Sequence, residues 1–208
     1  MTHLSRVVFI GDSITDAGRD RADPSSLGDG YVSRLAAELA SSGSVVRNLG
    51  ISGNRAVDLA ARWDAELMTT APELLTVYVG VNDMWRRFDS DDPTSAEDFE
   101  ATLRPLLTQV VEAHGPRLVL MEPFFLPVVP EQREWLDDLD GKRAVVRSLA
   151  AEFGAELVPL HEVFTAAAAE HPIAELAPDG VHPTRLGSEL IAQAWRKAAF
   201  AGEVALGH

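Results

Sequence analysis

The chain contains no cysteine, which excludes disulfides, thiolate-bound metals and a cysteine nucleophile. Basic residues are scarce: 18 Lys and Arg face 32 Asp and Glu, for a formal net charge of -14 at pH 7. That field repels polyanions, so nucleic acid and anionic membranes are poor partners and neutral substrates fit better. Long apolar runs are also missing, since none approaches the roughly twenty residues needed to span a bilayer. Met1 to Arg6 lead into the first apolar stretch without a secretory pattern, and a cytoplasmic protein is expected. Neither G-x-G-x-x-G nor a Walker lysine motif follows that stretch, which leaves a nucleotide- or phosphate-binding module without its usual loop.

What is present is an alternation of short apolar runs and amphipathic segments over 208 residues, 46% of them hydrophobic. This length suits a single domain, 1–208, and no repeat, linker or charge block divides it. Strands are expected at 6–10, 44–49, 74–79, 117–121 and 155–160, where runs too short for helices are rich in aliphatic and β-branched residues. Helices are expected at 31–40, closed by Ser41-Ser42-Gly43, and at 56–68, 138–153 and 162–170. A further helix capped by Ser95 runs to His114, with Pro105 implying a kink or restart, and a last one begins at Pro183. Residues 19–30, 85–94 and 172–178 read as loops. Strands and helices in alternation require parallel pairing and right-handed crossovers. The expectation is a three-layer α/β/α sandwich around a five-stranded parallel sheet, in the flavodoxin-like order 2-1-3-4-5.

In such a sheet the strand exits share one edge. Ser13 follows the first strand in Gly11-Asp12-Ser13-Ile14-Thr15, Gly53 follows the second in Gly50-Ile51-Ser52-Gly53-Asn54, and Asn82 follows the third in Gly80-Val81-Asn82-Asp83. His182, in Asp179-Gly180-Val181-His182-Pro183, joins them from the loop after the fifth strand. A serine hydroxyl needs a base to become a nucleophile, and imidazole is the usual one. Pro183 disfavours helical dihedrals in the residue before it, which sets His182 at the lip of the last helix. Asp179, across a glycine turn, can fold back and fix the ring's tautomer. The backbone N–H groups of Ser13 and Gly53 and the side-chain amide of Asn82 would serve as oxyanion donors. Asp12 and Asp83 read as turn-stabilising acids rather than reacting groups, and Asp16 as a cap of the segment after it. The turn is not a nucleophile elbow, because Thr15 stands where Gly-x-Ser-x-Gly has its second glycine.

These four blocks, in this order, resemble the signature blocks of the SGNH or GDSL hydrolases, over nearly the whole chain. Within that family Gly11 to Asp16, the Gly-Ile-Ser-Gly-Asn run, Ala61-Arg62-Trp63 and Gly80 to Arg86 look like small bacterial acetylxylan and related carbohydrate acetyl esterases. The resemblance implies Ser13 as nucleophile, Asp179 and His182 completing a triad, and Gly53 and Asn82 as oxyanion donors. It implies no cofactor or metal, and a small-molecule or oligosaccharide ester as substrate. Trp85 and Arg86, with Phe124, Phe125 and Trp135, are candidates to contact a sugar, or equally to pack or to form a subunit interface in a homo-oligomer. His3, His114, His161 and His171 are expected at the surface or at helix ends. Alternative readings are a lipase, lysophospholipase or thioesterase acting on longer acyl chains, a metal-dependent phosphatase using Asp12 and Asp16, and a non-catalytic glycan-binding protein.

Overall fold

The computed structural model describes residues 5–41 and 43–201; His3 and Ser42 of the expectations above lie outside them. The five strands are β1 (Arg6–Gly11), β2 (Val45–Gly50), β3 (Leu74–Tyr78), β4 (Arg117–Met121) and β5 (Glu156–Val158). All pair in parallel, in the order β2-β1-β3-β4-β5. The short apolar runs form strands because both faces of this sheet are covered, so each can be apolar throughout. Alternate residues of β1 then serve opposite cores. Val7 and Phe9 pack with α2 (Tyr31–Ser41), α7 (Leu160–Ala167) and α9 (Arg185–Ala199). Val8 and Ile10 pack with α3 (Ala56–Arg62), α5 (Ala96–His114) and the aliphatic face of α6 (Trp135–Phe153).

The exits of β1 and β2 are in register at Gly11 and Gly50, and there the chain needs glycine. A Cβ on Gly50 would lie 2.2 Å from the Asp16 amide nitrogen, and one on Gly11 would lie 2.2 Å from the Tyr78 carbonyl oxygen. Without side chains at these two points, the single helical turn α1 (Ser13–Asp16) settles directly on the strand ends. Asp12 caps it, its side chain accepting from the Ile14 N–H at 3.0 Å.

Several local expectations change. Residues 85–89 are not irregular: α4 (Val81–Asp89) runs through them, with Asp83 in its first turn and Arg86 and Arg87 in its last, charges that complement the helix dipole. The helix expected at 56–68 is α3 only to Arg62, followed by a π turn at Trp63–Leu67 and a 3-10 turn at Met68–Thr70. Pro105 neither ends nor restarts α5, which is continuous from its Ser95 cap to His114. Within 172–178 a one-turn helix α8 (Ile173–Leu176) forms. Asp16 does not cap the next segment; its carboxylate reaches to β2's exit and accepts from the Ser52 N–H and hydroxyl, both at 2.9 Å. His161 lies at the N-terminal end of α7, as expected of a helix-end residue, and is half-buried there.

Candidate active site

Ser13 opens α1, where the turn over Gly50 presents its hydroxyl beyond the sheet edge. Its Oγ lies 2.9 Å from Nε2 of His182. On the other side of the ring, Nδ1 lies 2.5 Å from Oδ2 of Asp179. The second carboxylate oxygen accepts from the backbone N–H groups of His182 and Val181, at 2.7 and 3.0 Å. Asp179 is therefore fixed by its own loop, and it fixes the imidazole in turn. Partial burial pushes its pKa up, but the bonds from the His182 ring and from the two amides outweigh that and hold it below the usual carboxylate value. A carboxylate that stays ionised favours the tautomer with the proton on Nδ1, which leaves Nε2 free to accept from the serine.

The oxyanion candidates meet Ser13 at the same edge. Gly53 stands at φ +83°, a left-handed conformation suited to glycine, with nothing near the position of a Cβ. Asn82, in the first turn of α4, is buried and gives one N–H of its side-chain amide to the Asn54 carbonyl at 3.1 Å. An amide has two such donors, so a second remains. Asp83 beside it accepts from the Ala56 N–H at 3.2 Å and thereby anchors the start of α3. Its role is a long-range tie, not the local turn bond expected of it.

Ser13, Gly53, Asn82, Trp85, Arg86 and His182 line one open cavity of about 530 Å³. Trp85 lies 6.2 Å from the His182 ring, centroid to centroid, and Arg86 is ion-paired with Asp89 at the rim. Phe124 and Phe125 are not at the site. Both are fully buried, Phe124 stacked on Phe164 and Phe125 on Trp135. A second hollow of about 390 Å³ opens on the far side of Ser13 and His182, lined by Asp29, Arg34, Thr184 and Arg185. None of these residues stands out in the sequence, because they come from a loop and two helix ends whose meeting depends on the fold.

Among the described residues no group of three or more His, Asp or Glu side chains is arranged to hold a metal ion. Asp12 and Asp16, the pair that a metal-dependent mechanism would use, are directed to Ile14 and Ser52 respectively. No helix among the described residues is long and apolar enough to cross a membrane.

A parallel α/β/α sheet that brings a serine, a histidine and an aspartate together at its carboxyl edge is the architecture of a carboxylic ester hydrolase of the serine type. The chain belongs to the GDSL-like lipase/acylhydrolase family, whose model matches residues 9–190. An acetylxylan esterase from Geobacillus stearothermophilus is 33% identical over 202 residues, covering 91% of each chain. The fold is shared with a crystal structure of a catalytic mutant of that organism's acetylxylan esterase Axe2, at TM-score 0.86 and 32% identity over 93% of each chain. It is likewise shared with LAE5, an alpha/beta hydrolase enzyme from the metagenome of Lake Arreo, Spain, at TM-score 0.85 and 32% identity over 93% of this chain and 94% of that one.

Proposed function

We propose that this esterase removes short acyl groups, acetyl above all, from hydroxyls of small carbohydrates through an acyl-enzyme on Ser13. The observation that carries the reading is the unbroken chain of bonds from Ser13 Oγ through His182 to Asp179. In this mechanism Ser13 Oγ attacks the ester carbonyl carbon as His182 Nε2 takes the hydroxyl proton. The carbonyl π electrons move to oxygen, where the N–H groups of Ser13, Gly53 and Asn82 stabilise the charge. Collapse of the intermediate breaks the bond to the sugar oxygen, which leaves with the proton from Nε2. Water then repeats the sequence on the acyl-enzyme and releases the carboxylic acid. Asp179 stays ionised throughout and supports the imidazolium.

Relatives support these roles. Structures of Axe2 include catalytic mutants in which a serine, a histidine or an aspartate is replaced by alanine. The histidine and aspartate replaced there lie three positions apart, the spacing of Asp179 and His182 here. For the substrate, the indole of Trp85 gives the cavity an aromatic wall beside polar Arg86 and Asp89, a combination that suits a sugar ring. The test compares turnover of acetyl and octanoyl nitrophenyl esters and follows acetate release from acetylated xylo-oligosaccharides. Acetyl should be preferred and acetate released from the oligosaccharides. A preference for octanoyl would transfer the protein to the long-chain acyl hydrolases.

A further inference from the structure

Arg62 closes α3 at the point where the helix widens into the π turn Trp63–Leu67. Such turns occur frequently at functional sites. The backbone of Arg62 has left the helical region, at φ -118° and ψ 0°, and its side chain is only 11% exposed. The guanidinium reaches in three directions. Nε–H donates to Oδ1 of Asn54 at 2.8 Å, Nη2–H to the carbonyl of Gly11 at 3.2 Å, and Nη1–H to Glu66 at 2.7 Å.

The first two acceptors belong to different halves of the site. Gly11 is the last residue of the strand that delivers Ser13, and its carbonyl also accepts from the Ile51 N–H at 3.0 Å. Asn54 follows Gly53, and its own carbonyl receives the side-chain amide of Asn82. One planar cation therefore bridges the strand that carries the hydroxyl to the loop that carries one oxyanion donor and orients another. We propose that Arg62 is a positioning residue that sets the distance between the Ser13 nucleophile and the oxyanion donors Gly53 and Asn82. This rests on the roles assigned above to those three residues. Other bonds also join the Ser13 side to this loop, from the Ile51 N–H to Gly11, from Ser52 to Asp16 and from Arg19 to the Gly50 carbonyl at 2.8 Å, but they end at Ser52, whereas Arg62 reaches past Gly53 to Asn54. Lysine could not replace the arginine, because a point charge on a flexible stem lacks the rigid fork that meets two fixed acceptors at once.

The experiment measures kcat and KM on an acetyl nitrophenyl ester, with melting temperatures, for the wild type, Ser13→Ala, Arg62→Lys, Arg62→Met, Asn54→Ala and the double variant Arg62→Met with Asn54→Ala. Displacement of catalytic groups by an ångström costs about a hundredfold in rate. A fall in kcat of roughly ten- to a hundredfold is therefore expected in Arg62→Met and Arg62→Lys, with KM essentially unchanged. Asn54→Ala removes the same bond from its other end, so the double variant should lose little more than either single one. If Arg62→Met does not fold, Arg62→Lys and Asn54→Ala carry the test. Wild-type kcat in a folded Arg62 variant, a change confined to KM, or losses that multiply in the double variant would overturn the positioning role. Turnover that persists in Ser13→Ala would instead overturn the proposed function, which separates the two failures.

Discussion

Asp12 carries a fully buried carboxyl immediately before Ser13 in the chain. One oxygen accepts from the Ile14 N–H, and the other has no hydrogen-bond partner among the described residues. Burial pushes its pKa up to about 7, against the lowering effects of the Ile14 bond and of His182. Burial likewise lifts Asp83 to about 6. An unfolded chain would release these protons near the ordinary carboxyl value of 3.8, so between about pH 4 and 7 the folded state holds more protons than the unfolded one. The stabilising contribution is then fully present below pH 4 and is lost as pH rises through 7. Asparagine in place of Asp12 keeps the acceptor for Ile14 and never ionises. Asp12→Asn should therefore melt close to the wild type near pH 4 and increasingly above it as pH rises to 8, as followed by melting temperature against pH. A variant less stable than the wild type at pH 8 would refute this account of the buried acid. At this scale the sequence shows the side chains proposed to react and the local bond of Asp12, because each sits in a short block. It does not show the partner of Asp83, which is supplied by α3 across the sheet edge.

Among elements, α5 shows what pattern alone misjudges. A proline inside a helix removes one hydrogen bond and crowds the carbonyl four residues back, which argues for a break. Here Pro105 and Ala101 both face solvent, so the freed carbonyl can be hydrated, while Phe99, Leu103, Leu107 and Val110 hold the other side in the core. Packing overrides propensity. Because the helix already continues through Pro105, Pro105→Ala should restore the lost bond and stabilise the protein by up to about 3 kcal/mol. This is measurable as a higher denaturation midpoint with ester turnover unchanged. A lower midpoint would mean that the helix depends on the proline's geometry. The same competition explains α4: its mixed aromatic, basic and acidic sequence suggests a loop, yet Val81 and Met84 are buried in the core and the Arg86–Asp89 pair closes the last turn. It explains α3 as well, whose helical period at 56–68 cannot reveal the π turn that directs Arg62 to the site.

Across the molecule, the order and direction of all five strands follow from runs of apolar residues and from the handedness of their connections, and the structure has that order. Parallel pairing is also what makes the site readable in advance, since it compels four separate blocks to one edge. Less readable is which aromatics reach that edge. Phe124 and Phe125 leave β4 beside it, but Phe164 of α7 and Trp135 of α6 draw them into the core, partners distant in the chain. Trp85 and Arg86 remain at the cavity. The central claim is that the fold activates Ser13 through His182. It is tested most directly by treating the folded protein with a fluorophosphonate and locating the adduct by mass spectrometry. The account requires modification at Ser13, absent in Ser13→Ala and strongly slowed in His182→Ala. An unmodified Ser13 in folded, wild-type protein, or an adduct on a different residue, would contradict it.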